Sequence, residues 1–294
     1  MPDYEILDCH HHVGDVHGVL GLGPTPTGTD PAADELAVRL ATMDRNGVDR
    51  AVVIPGHGYL RPSGLADTRR INDAIAAYRD ATPDRFPAAV GIVEPLYGPT
   101  GLDEVDRCAH ELGLRGISFH TRFQGVSTDS PLVRALVGRC AERGLVPFVH
   151  ALGDVADEAL WKVQELGREF PETTFVVLDA FSSFEQCRQA LSVAELVPNL
   201  VFDTSLAYTF DLVEPFVRRH GASRLVFGTD LYSTPLGYRR THVLGQILDS
   251  ALPEDDKRLI LAGNIRAILG LGPAPRGASA ASPSASPSAS GEGV

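Results

Sequence analysis

The sequence lacks paired cysteines, long apolar runs and an excess of basic residues. Its four cysteines are spread along the chain without a C-x-x-C pair, and no basic segment followed by an apolar signal core opens it, so we expect a reduced, cytoplasmic protein. No apolar stretch approaches the roughly 20 residues that cross a bilayer, which argues against a membrane protein. The 26 Lys and Arg against 38 Asp and Glu give a net charge of −12, which argues against nucleic-acid binding. Small molecules remain as the expected partners.

The last part of the sequence is poor in the apolar residues that could offset the entropy of ordering it. Residues 271–294 are mainly Pro, Ala, Ser and Gly, so we expect a disordered tail there. The chain as a whole is 44% hydrophobic, which is ample for a buried core in residues 1–270. We predict a single domain followed by this tail; the sequence leaves open whether the protein is a homo-oligomer.

Short apolar runs alternate with longer segments of helical period, which is typical of repeated βα units. Eight runs are expected to be strands, at residues 5–9, 51–54, 87–93, 115–119, 146–150, 174–178, 200–203 and 224–227. Helices are expected between them, for example at residues 33–46, 68–81, 102–112, 132–143 and 184–194. Eight such units predict a closed (β/α)8 TIM barrel. The alternative, an open doubly wound sheet, would need a glycine-rich phosphate loop after the first strand, where residues 8–12 stand instead.

An ionisable side chain follows every predicted strand. In strand order these residues are His10 with His12, His57, Glu94, His120, His150, Asp179, Asp203 and Asp230. Active sites of TIM barrels lie where strands end and βα loops begin. The placement therefore predicts an active site built from the ends of several strands.

The histidine pair that follows the first apolar run predicts two ligands of a metal site. Alternation along a strand places His10 and His12 on one face together with Asp8, and places Cys9 and His11 on the other. Imidazole suits zinc, iron and other transition metals. We interpret Asp8 as an acceptor that holds an imidazole in the required tautomer, and His11 as an ordinary polar residue.

His150 and Asp230 are the expected further ligands, because the mouths of strands one, five and eight can face a common centre in a closed barrel. We expect one divalent metal ion, with zinc as the first choice and manganese or iron as alternatives. Asp230 is also expected to act as the catalytic base. Its alternative interpretation is a helix N-cap, although residues 231–235 read as a loop.

These motifs resemble those of the metal-dependent amidohydrolase superfamily, specifically its amidohydrolase-2 branch, which also includes aminocarboxymuconate-semialdehyde decarboxylase-like enzymes. The resemblance covers nearly the whole chain before the tail. The matching segments are residues 8–12, 116–120 with 122–125, His150, 227–230 and 261–264. The resemblance implies a TIM barrel and a metal-dependent enzyme.

Two positions depart from the family pattern. Many relatives carry a lysine where Ser118 stands, and in binuclear branches that lysine can be carbamylated to bridge two metal ions; its absence implies a single ion. The sixth strand of relatives usually ends on a histidine, implied to polarise the substrate or help activate water, whereas here it ends on Asp179. Asp179 is therefore a candidate catalytic base or extra ligand, or else an N-cap near Ser183 or a salt-bridge partner of Arg122.

Three more side chains are candidates for substrate binding. His57 and His120 are interpreted either as electrophiles that face the substrate or as structural histidines. Arg122 has the geometry to clamp a substrate carboxylate with two hydrogen bonds, or is a solvated loop arginine.

The leading hypothesis from the sequence is a mononuclear metal-dependent hydrolase, in which a metal-activated water attacks an amide, lactone or related carbonyl of a small metabolite. The alternative is non-oxidative decarboxylation of an aromatic or enoic acid, with Asp230 protonating the carbon that loses CO2. A third hypothesis is a barrel that has lost catalysis and only binds a ligand. The altered sixth strand favours the third hypothesis, whereas the intact set of expected ligands speaks against it.

Overall fold

The computed structural model describes residues 4–15, 31–57, 61–234 and 241–272. Within these residues nine strands form one sheet in the order β8-β7-β6-β5-β4-β3-β2-β1-β9, and all neighbours are parallel. The strands are β1 (Leu7–Asp15), β2 (Arg50–Pro55), β3 (Ala88–Ile92), β4 (Gly116–Phe119), β5 (Val146–His150), β6 (Phe175–Leu178), β7 (Leu200–Asp203), β8 (Leu225–Val226) and β9 (Leu231–Thr234). This order confirms the predicted (β/α)8 TIM barrel.

Helices cover the outside of the sheet. The described helices are Pro31–Asn46, Leu65–Ala81, Pro99–His110, Thr121–Gln124, Pro131–Arg143, Leu160–Glu169, Phe184–Leu196, Phe210–His220, His242–Asp249 and Glu254–Arg258, the last continuing through a π turn (Leu259–Gly263) into Asn264–Ile268. Local signals set their ends: Ser130 accepts the N–H of Val133 at the start of one helix, and Gly144 ends it with a left-handed backbone. None of the described helices has the length and apolar character to cross a bilayer.

The barrel closes where the eighth strand meets β1. β8 pairs with β7, and the chain continues through residues 227–230 into β9, which pairs with β1. Between the two, the backbone N–H of Cys9 donates to the carbonyl of Phe227 at 2.9 Å. Gly228 lies at this seam because a Cβ there would come within 2.5 Å of Asp203 Oδ2 and 3.1 Å of Cys9 Sγ. The seam therefore brings β1, β7 and the eighth strand into close contact.

Apolar side chains fill two layers. The barrel interior holds one cluster, closed at its lower end by the C-terminal helix; it includes Leu7, Cys9, Val52, Ile54, Val90, Phe148, Val176, Leu178, Val226, Ala262 and Ile265. A second cluster packs the helices against the outside of the strands. Each large apolar side chain that is fully buried contributes about 1.5–3 kcal/mol to folding. Polar side chains gather at the opposite end, the mouth formed by the carboxyl ends of the strands.

The second to eighth predicted strands match the observed ones to within one residue at each end. The first does not, because β1 extends to Asp15 and contains the histidines. The segment after Asp230, expected to be a loop, is β9 (Leu231–Thr234). Residues 273–294, nearly all of the predicted tail, lie outside the described residues, and Leu271 still packs against the interior cluster.

The predicted alternation of β1 is wrong at its centre. The pairing of β1 with β2 shifts register between Asp8 and His11. Cys9 consequently belongs to the interior cluster, and Asp8 shares a side with His11 rather than with His10. A register shift breaks the two-residue period on which the prediction depended.

Candidate metal centre

Three imidazoles meet at the mouth of the barrel. His10 and His12 come from β1 and His150 ends β5, and each is buried. Nε2 of His12 lies 2.9 Å from Nε2 of His10 and 3.4 Å from Nε2 of His150. One ligand nitrogen of each lies within 4.8 Å of the others, and no other group of three metal-binding side chains is so arranged in the described chain. The spacing fits three ligands of one ion.

The opposite ring nitrogen of each histidine has an acceptor. His10 Nδ1 lies 2.9 Å from Asp203 Oδ2, while His12 and His150 donate from Nδ1 to backbone carbonyls at 3.1 and 3.0 Å. An acceptor at Nδ1 places the proton there and leaves the Nε2 lone pair free for a metal ion. All three rings are therefore oriented as ligands.

Asp230 faces the same point from the barrel seam. Its Oδ1 lies 3.5 Å from Nε2 of both His10 and His12, and its side chain is 19% exposed. Its φ of 52° lies in the left-handed region, which aspartate tolerates better than most residues. The N-cap interpretation is wrong, since a strand and not a helix follows. The strained backbone instead turns the carboxylate toward Nε2 of His10 and His12.

The electrostatics of the cluster suit a cation. Burial, assisted by neighbouring histidines, holds the pKa of His12 and His150 well below the ordinary value, so both rings are neutral at pH 7. Burial also lowers the pKa of His10, but the hydrogen bond to Asp203 and the nearby carboxylates raise it to about 9. A bound metal ion displaces such a proton, because ligand histidines must be neutral. Three imidazoles and a carboxylate fit a divalent transition metal.

The predicted substrate-binding residues form a second wall of the mouth, which follows β2 and β4 and lies between β1 and β5 in the sheet. The ring of His57 lies 6.1 Å from that of His12 and 5.4 Å from that of His150. Its Nε2 lies 2.9 Å from Ser118 Oγ, whereas its buried Nδ1 has no hydrogen-bond partner within the described ranges. Burial holds the pKa of His57 well below its ordinary value. His57 is therefore a neutral group with one unused polar atom.

His120 stacks on His150 with the ring centroids 4.0 Å apart and the planes 4° from parallel. Its Nδ1 lies 2.6 Å from Oε1 of Glu158, and the same oxygen accepts the backbone N–H of Arg122 at 3.1 Å. Burial lowers the pKa of His120 despite this carboxylate. The guanidinium of Arg122 lies over the ring of Phe123, and its buried Nε has no hydrogen-bond partner in the part of the chain described.

Asp179 contacts the partner of a ligand rather than the ligand nitrogens. Its backbone N–H donates to Asp203 Oδ1 at 3.0 Å, and Ser205 Oγ lies 2.9 Å from Asp179 Oδ1 and 2.6 Å from Asp203 Oδ1. Burial raises the pKa of Asp179 to about 6, against the lowering effect of His10. Two neighbouring carboxylates thus share one hydroxyl beneath the metal centre.

Both structural interpretations of Asp179 are wrong. The helix Phe184–Leu196 is capped by Ser183, whose side chain accepts the N–H of Gln186. No ion pair between Asp179 and Arg122 occurs among the described residues.

The expectation for Asp8 also needs correction. Its Oδ2 lies 2.7 Å from Nε2 of His11. From His10 it accepts the backbone N–H, at 2.9 Å, and not the imidazole. It further accepts the N–H and hydroxyl of Thr229 at 3.1 and 2.5 Å. His11, expected to be an ordinary polar residue, is buried between Asp8 and Arg39. Asp8 therefore fixes β1 to the segment that carries Asp230.

Three contributors to the mouth have no role in the sequence-based prediction. Asp203 is indicated only by its place at the end of a strand. Glu158 lies in a 3-10 turn (Ala156–Glu158), where nothing in the sequence separates it from its acidic neighbour Asp157. Tyr232 stacks on His12 at 4.8 Å, but it follows Asp230 in the segment interpreted as a loop.

Comparison with known proteins gives a consistent set of relatives. The amidohydrolase model Amidohydro_2 matches residues 7–271. The 2-amino-3-carboxymuconate-6-semialdehyde decarboxylase of Dictyostelium discoideum is 26% identical over 281 residues, covering 80% of this chain and 77% of that protein.

Two solved structures share the fold. The 2,6-dihydroxybenzoate decarboxylase from Rhizobium superposes with a TM-score of 0.68 at 17% identity, covering 91% of this chain and 99% of that one. The 5-carboxyvanillate decarboxylase from Novosphingobium aromaticivorans, in complex with manganese and 4-hydroxy-3-methoxy-5-nitrobenzoic acid, gives a TM-score of 0.68 at 16% identity, covering 91% and 96%.

These relatives overturn the hydrolase hypothesis. All three are decarboxylases, so the expectation of a water attacking an amide or lactone is wrong. The expectation of one metal ion agrees with the three-histidine group, which could hold one ion. The preference for zinc finds no support, since the metal in the structure of the relative is manganese.

Proposed function

Because the chain belongs to the amidohydrolase family and is an enzyme of that superfamily, we propose that it is a metal-dependent non-oxidative decarboxylase of a small aromatic or enoic acid. One observation carries the proposal. Three ligand nitrogens of buried histidines converge, and the carboxylate of Asp230 lies 3.5 Å from two of them. Such a centre would hold a cation and a proton donor beside the same bound acid. The reaction class is that of the relatives.

His10, His12, His150 and Asp230 would hold the ion, and manganese is the first candidate because a similar decarboxylase contains it. Zinc and iron are the alternatives. When bound, a divalent ion supplies positive charge that fixes the oxygens of the substrate and offsets negative charge in the transition state. The acceptors at Nδ1 of the three histidines keep the rings oriented without a substrate.

The chemical step breaks the bond between the substrate carbon and its carboxylate. The electron pair of that bond stays on the substrate carbon, CO2 leaves, and one proton is added to the carbon, so no oxidant or reductant is needed. We assign the proton transfer to Asp230, because its carboxyl group borders the ligand nitrogens and is partly exposed. Asp230 then recovers a proton from solvent.

The second wall would bind the rest of the substrate. Arg122 contributes a guanidinium with a buried, unpartnered Nε within the described residues, suited to a second acidic group. His57 contributes its unpartnered Nδ1. Tyr232, stacked on His12, adds aromatic surface beside which a planar acid could pack.

Asp179, predicted to be catalytic, takes a supporting role in this proposal. Its backbone N–H and the hydroxyl of Ser205 both contact Asp203, the partner of His10. Attack of an activated water on a carbonyl would form an oxyanion, and a carboxylate cannot donate a hydrogen bond to it. Decarboxylation needs no activated water, so a carboxylate at this position is consistent with it.

The test is a direct assay of the reaction. Protein loaded with manganese, zinc or iron is incubated in D2O with 2,6-dihydroxybenzoate, other hydroxybenzoates and enoic acids. We expect CO2 release and one deuterium on the carbon that lost the carboxylate. A parallel incubation of lactones and amides in 18O-labelled water should leave the label in the solvent.

Two results would contradict the proposal. The first is tight binding of carboxylic acids without CO2 release in every metal form, which would indicate a ligand-binding barrel. The second is a protein without stoichiometric metal by plasma mass spectrometry that also fails to take up added metal.

A further inference from the structure

Glu158 brings a carboxyl group into the wall of the mouth with few hydrogen-bond partners. Its side chain is fully buried. Oε1 contacts Nδ1 of His120 and the backbone N–H of Arg122, whereas Oε2 has no hydrogen-bond partner in the described chain. The imidazole of His120 is the side-chain partner that the described residues provide for it.

This arrangement lowers the stability of the folded protein. A buried carboxylate loses its hydration, and a single imidazole and a backbone amide return only part of that energy. An apolar residue of similar size would fill the same space without this cost. Costly polar groups of this kind concentrate at functional sites, where orientation matters more than stability.

The contact fixes which nitrogen of His120 carries the proton. Oε1 of Glu158 already accepts the backbone N–H of Arg122, so we take it as the acceptor and Nδ1 of His120 as the donor across the 2.6 Å contact. Nε2 on the far edge of the ring then holds the lone pair. The ring cannot tilt freely, because it is stacked on His150 at 4.0 Å.

Nε2 of His120 is placed to meet a ligand. It makes no hydrogen bond to the described residues. The ring lies between the ligand His150 on one face and His57, whose ring centroid is 5.3 Å away. The two walls of the mouth therefore meet at this ring.

We propose that Glu158 is a positioning residue that holds His120 with its proton on Nδ1, so that Nε2 accepts a hydrogen bond from an O–H or N–H group of the substrate. The substrate is then an acid that also carries a hydrogen-bond donor close to its carboxylate. The choice of probe rests on the proposed decarboxylase function, whereas the tautomer of His120 does not.

The tautomer is measured first. In zinc-loaded protein with 15N-labelled histidine, two-bond proton–nitrogen NMR correlations distinguish a protonated from an unprotonated ring nitrogen, and His120→Gln assigns the signals. We expect His120 to be protonated at Nδ1 in the wild type and to change tautomer or become mixed in Glu158→Leu. A wild-type ring protonated at Nε2 overturns the proposal.

Binding is measured second, by calorimetry of the metal-loaded protein with 2,6-dihydroxybenzoate and with 2,6-difluorobenzoate, which lacks the donors. Loss of one well-placed hydrogen bond to a buried acceptor should weaken binding by about 10–100-fold. We expect the wild type to prefer 2,6-dihydroxybenzoate over 2,6-difluorobenzoate by this factor, and Glu158→Leu to lose most of the preference. Glu158→Gln should restore part of it, because the amide keeps an acceptor oxygen but carries no charge. An unchanged preference in Glu158→Leu contradicts the proposal.

Glu104→Gln is the matched control. Glu104 is also fully buried, but it pairs with Arg107 and Asn72 between two outer helices. Its substitution should lower the melting temperature while leaving the tautomer of His120 and the binding preference unchanged. If 2,6-dihydroxybenzoate fails to bind even the wild type, the hydroxybenzoate version of the proposed function loses its support, and the NMR result still decides the role of Glu158.

Discussion

The two walls of the barrel mouth are built differently. In the first wall, formed by the ends of β1 and β5, each of the three clustered histidines has an acceptor at Nδ1. In the second wall, which follows β2 and β4, His57 Nδ1, Arg122 Nε and Oε2 of the adjoining Glu158 are buried without a hydrogen-bond partner in the part of the chain described. Buried polar atoms are nearly always paired in folded proteins. We therefore expect a cation to complete the first wall and a polar substrate to complete the second.

This difference separates two kinds of variant. Substitutions behind the first wall should change how much metal the protein holds, and substitutions in the second wall should change substrate affinity at normal metal content. Asp230 belongs to neither group, since it borders the ligand nitrogens and is proposed to move the proton.

The largest effect is expected for Asp230→Asn. The amide keeps an oxygen near the ion but cannot transfer a proton, so kcat should fall by about 10²–10⁴-fold. Metal content by plasma mass spectrometry should stay near that of the wild type, because the three histidines are intact. Asp211→Asn, an exposed change on an outer helix, is the control. A kcat within a few-fold of the wild type would remove Asp230 from the proton transfer.

The next effect is expected for Asp203→Asn, behind the first wall. The substitution removes the negative charge at Nδ1 of His10, and loss of such a partner typically weakens metal binding by about 10–100-fold. Competition against a chelating dye measures the dissociation constant. At saturating metal the KM should change little. A large rise in KM with unchanged metal affinity would mean that the two walls are not separate.

A smaller effect is expected for Arg122→Leu in the second wall. Loss of a charged hydrogen bond to a substrate acid costs about 1.5 kcal/mol or more, so KM should rise by roughly tenfold or more. Metal affinity should equal that of the wild type. Arg168→Leu, on an outer helix, is the matched control. An unchanged KM would show that the guanidinium faces solvent in the working enzyme.

The sequence is informative about the barrel because its signals are local and repeated. Each apolar run ends on a polar residue, and this rule alone places His57, His120, His150 and Asp230 at one end of the sheet. The proposed metal ligands follow from the same rule, since the closure of a barrel brings the ends of distant strands together.

The errors arise where one strand departs from its ideal period. The register shift in β1 moves Asp8 to the side of His11, and no pattern in the residues signals it.

Other contacts depend on tertiary packing. The position of Glu158 depends on how a loop folds back over β4, which is a tertiary contact. The partner of His10 is Asp203, close in space only after the chain has closed the barrel. Partners chosen by tertiary packing cannot be deduced from spacing along the chain.

The smallest effect is expected for Asp179→Asn, and it concerns stability. Burial raises the pKa of Asp179 from the ordinary value of 3.8 to about 6. Folding thus favours the protonated carboxyl. Its contribution to the free energy of unfolding is complete below about pH 4 and is lost as the pH rises through about 6. Asparagine cannot ionise and tolerates the left-handed φ of 65° at this position.

The free energy of unfolding of chelator-treated Asp179→Asn should therefore rise relative to the wild type by about 1–2 kcal/mol between pH 4.5 and pH 8. Differences in hydrogen bonding between the two side chains do not vary with pH and cancel in this comparison. Urea unfolding at both pH values measures it, with Asp211→Asn as the control that should show no such change. A difference in unfolding free energy between variant and wild type that shrinks with rising pH would show that the fold stabilises Asp179 as a carboxylate. Asp179 would then return to the set of candidate metal ligands, because a cation site requires a buried anion that the fold favours beside His10.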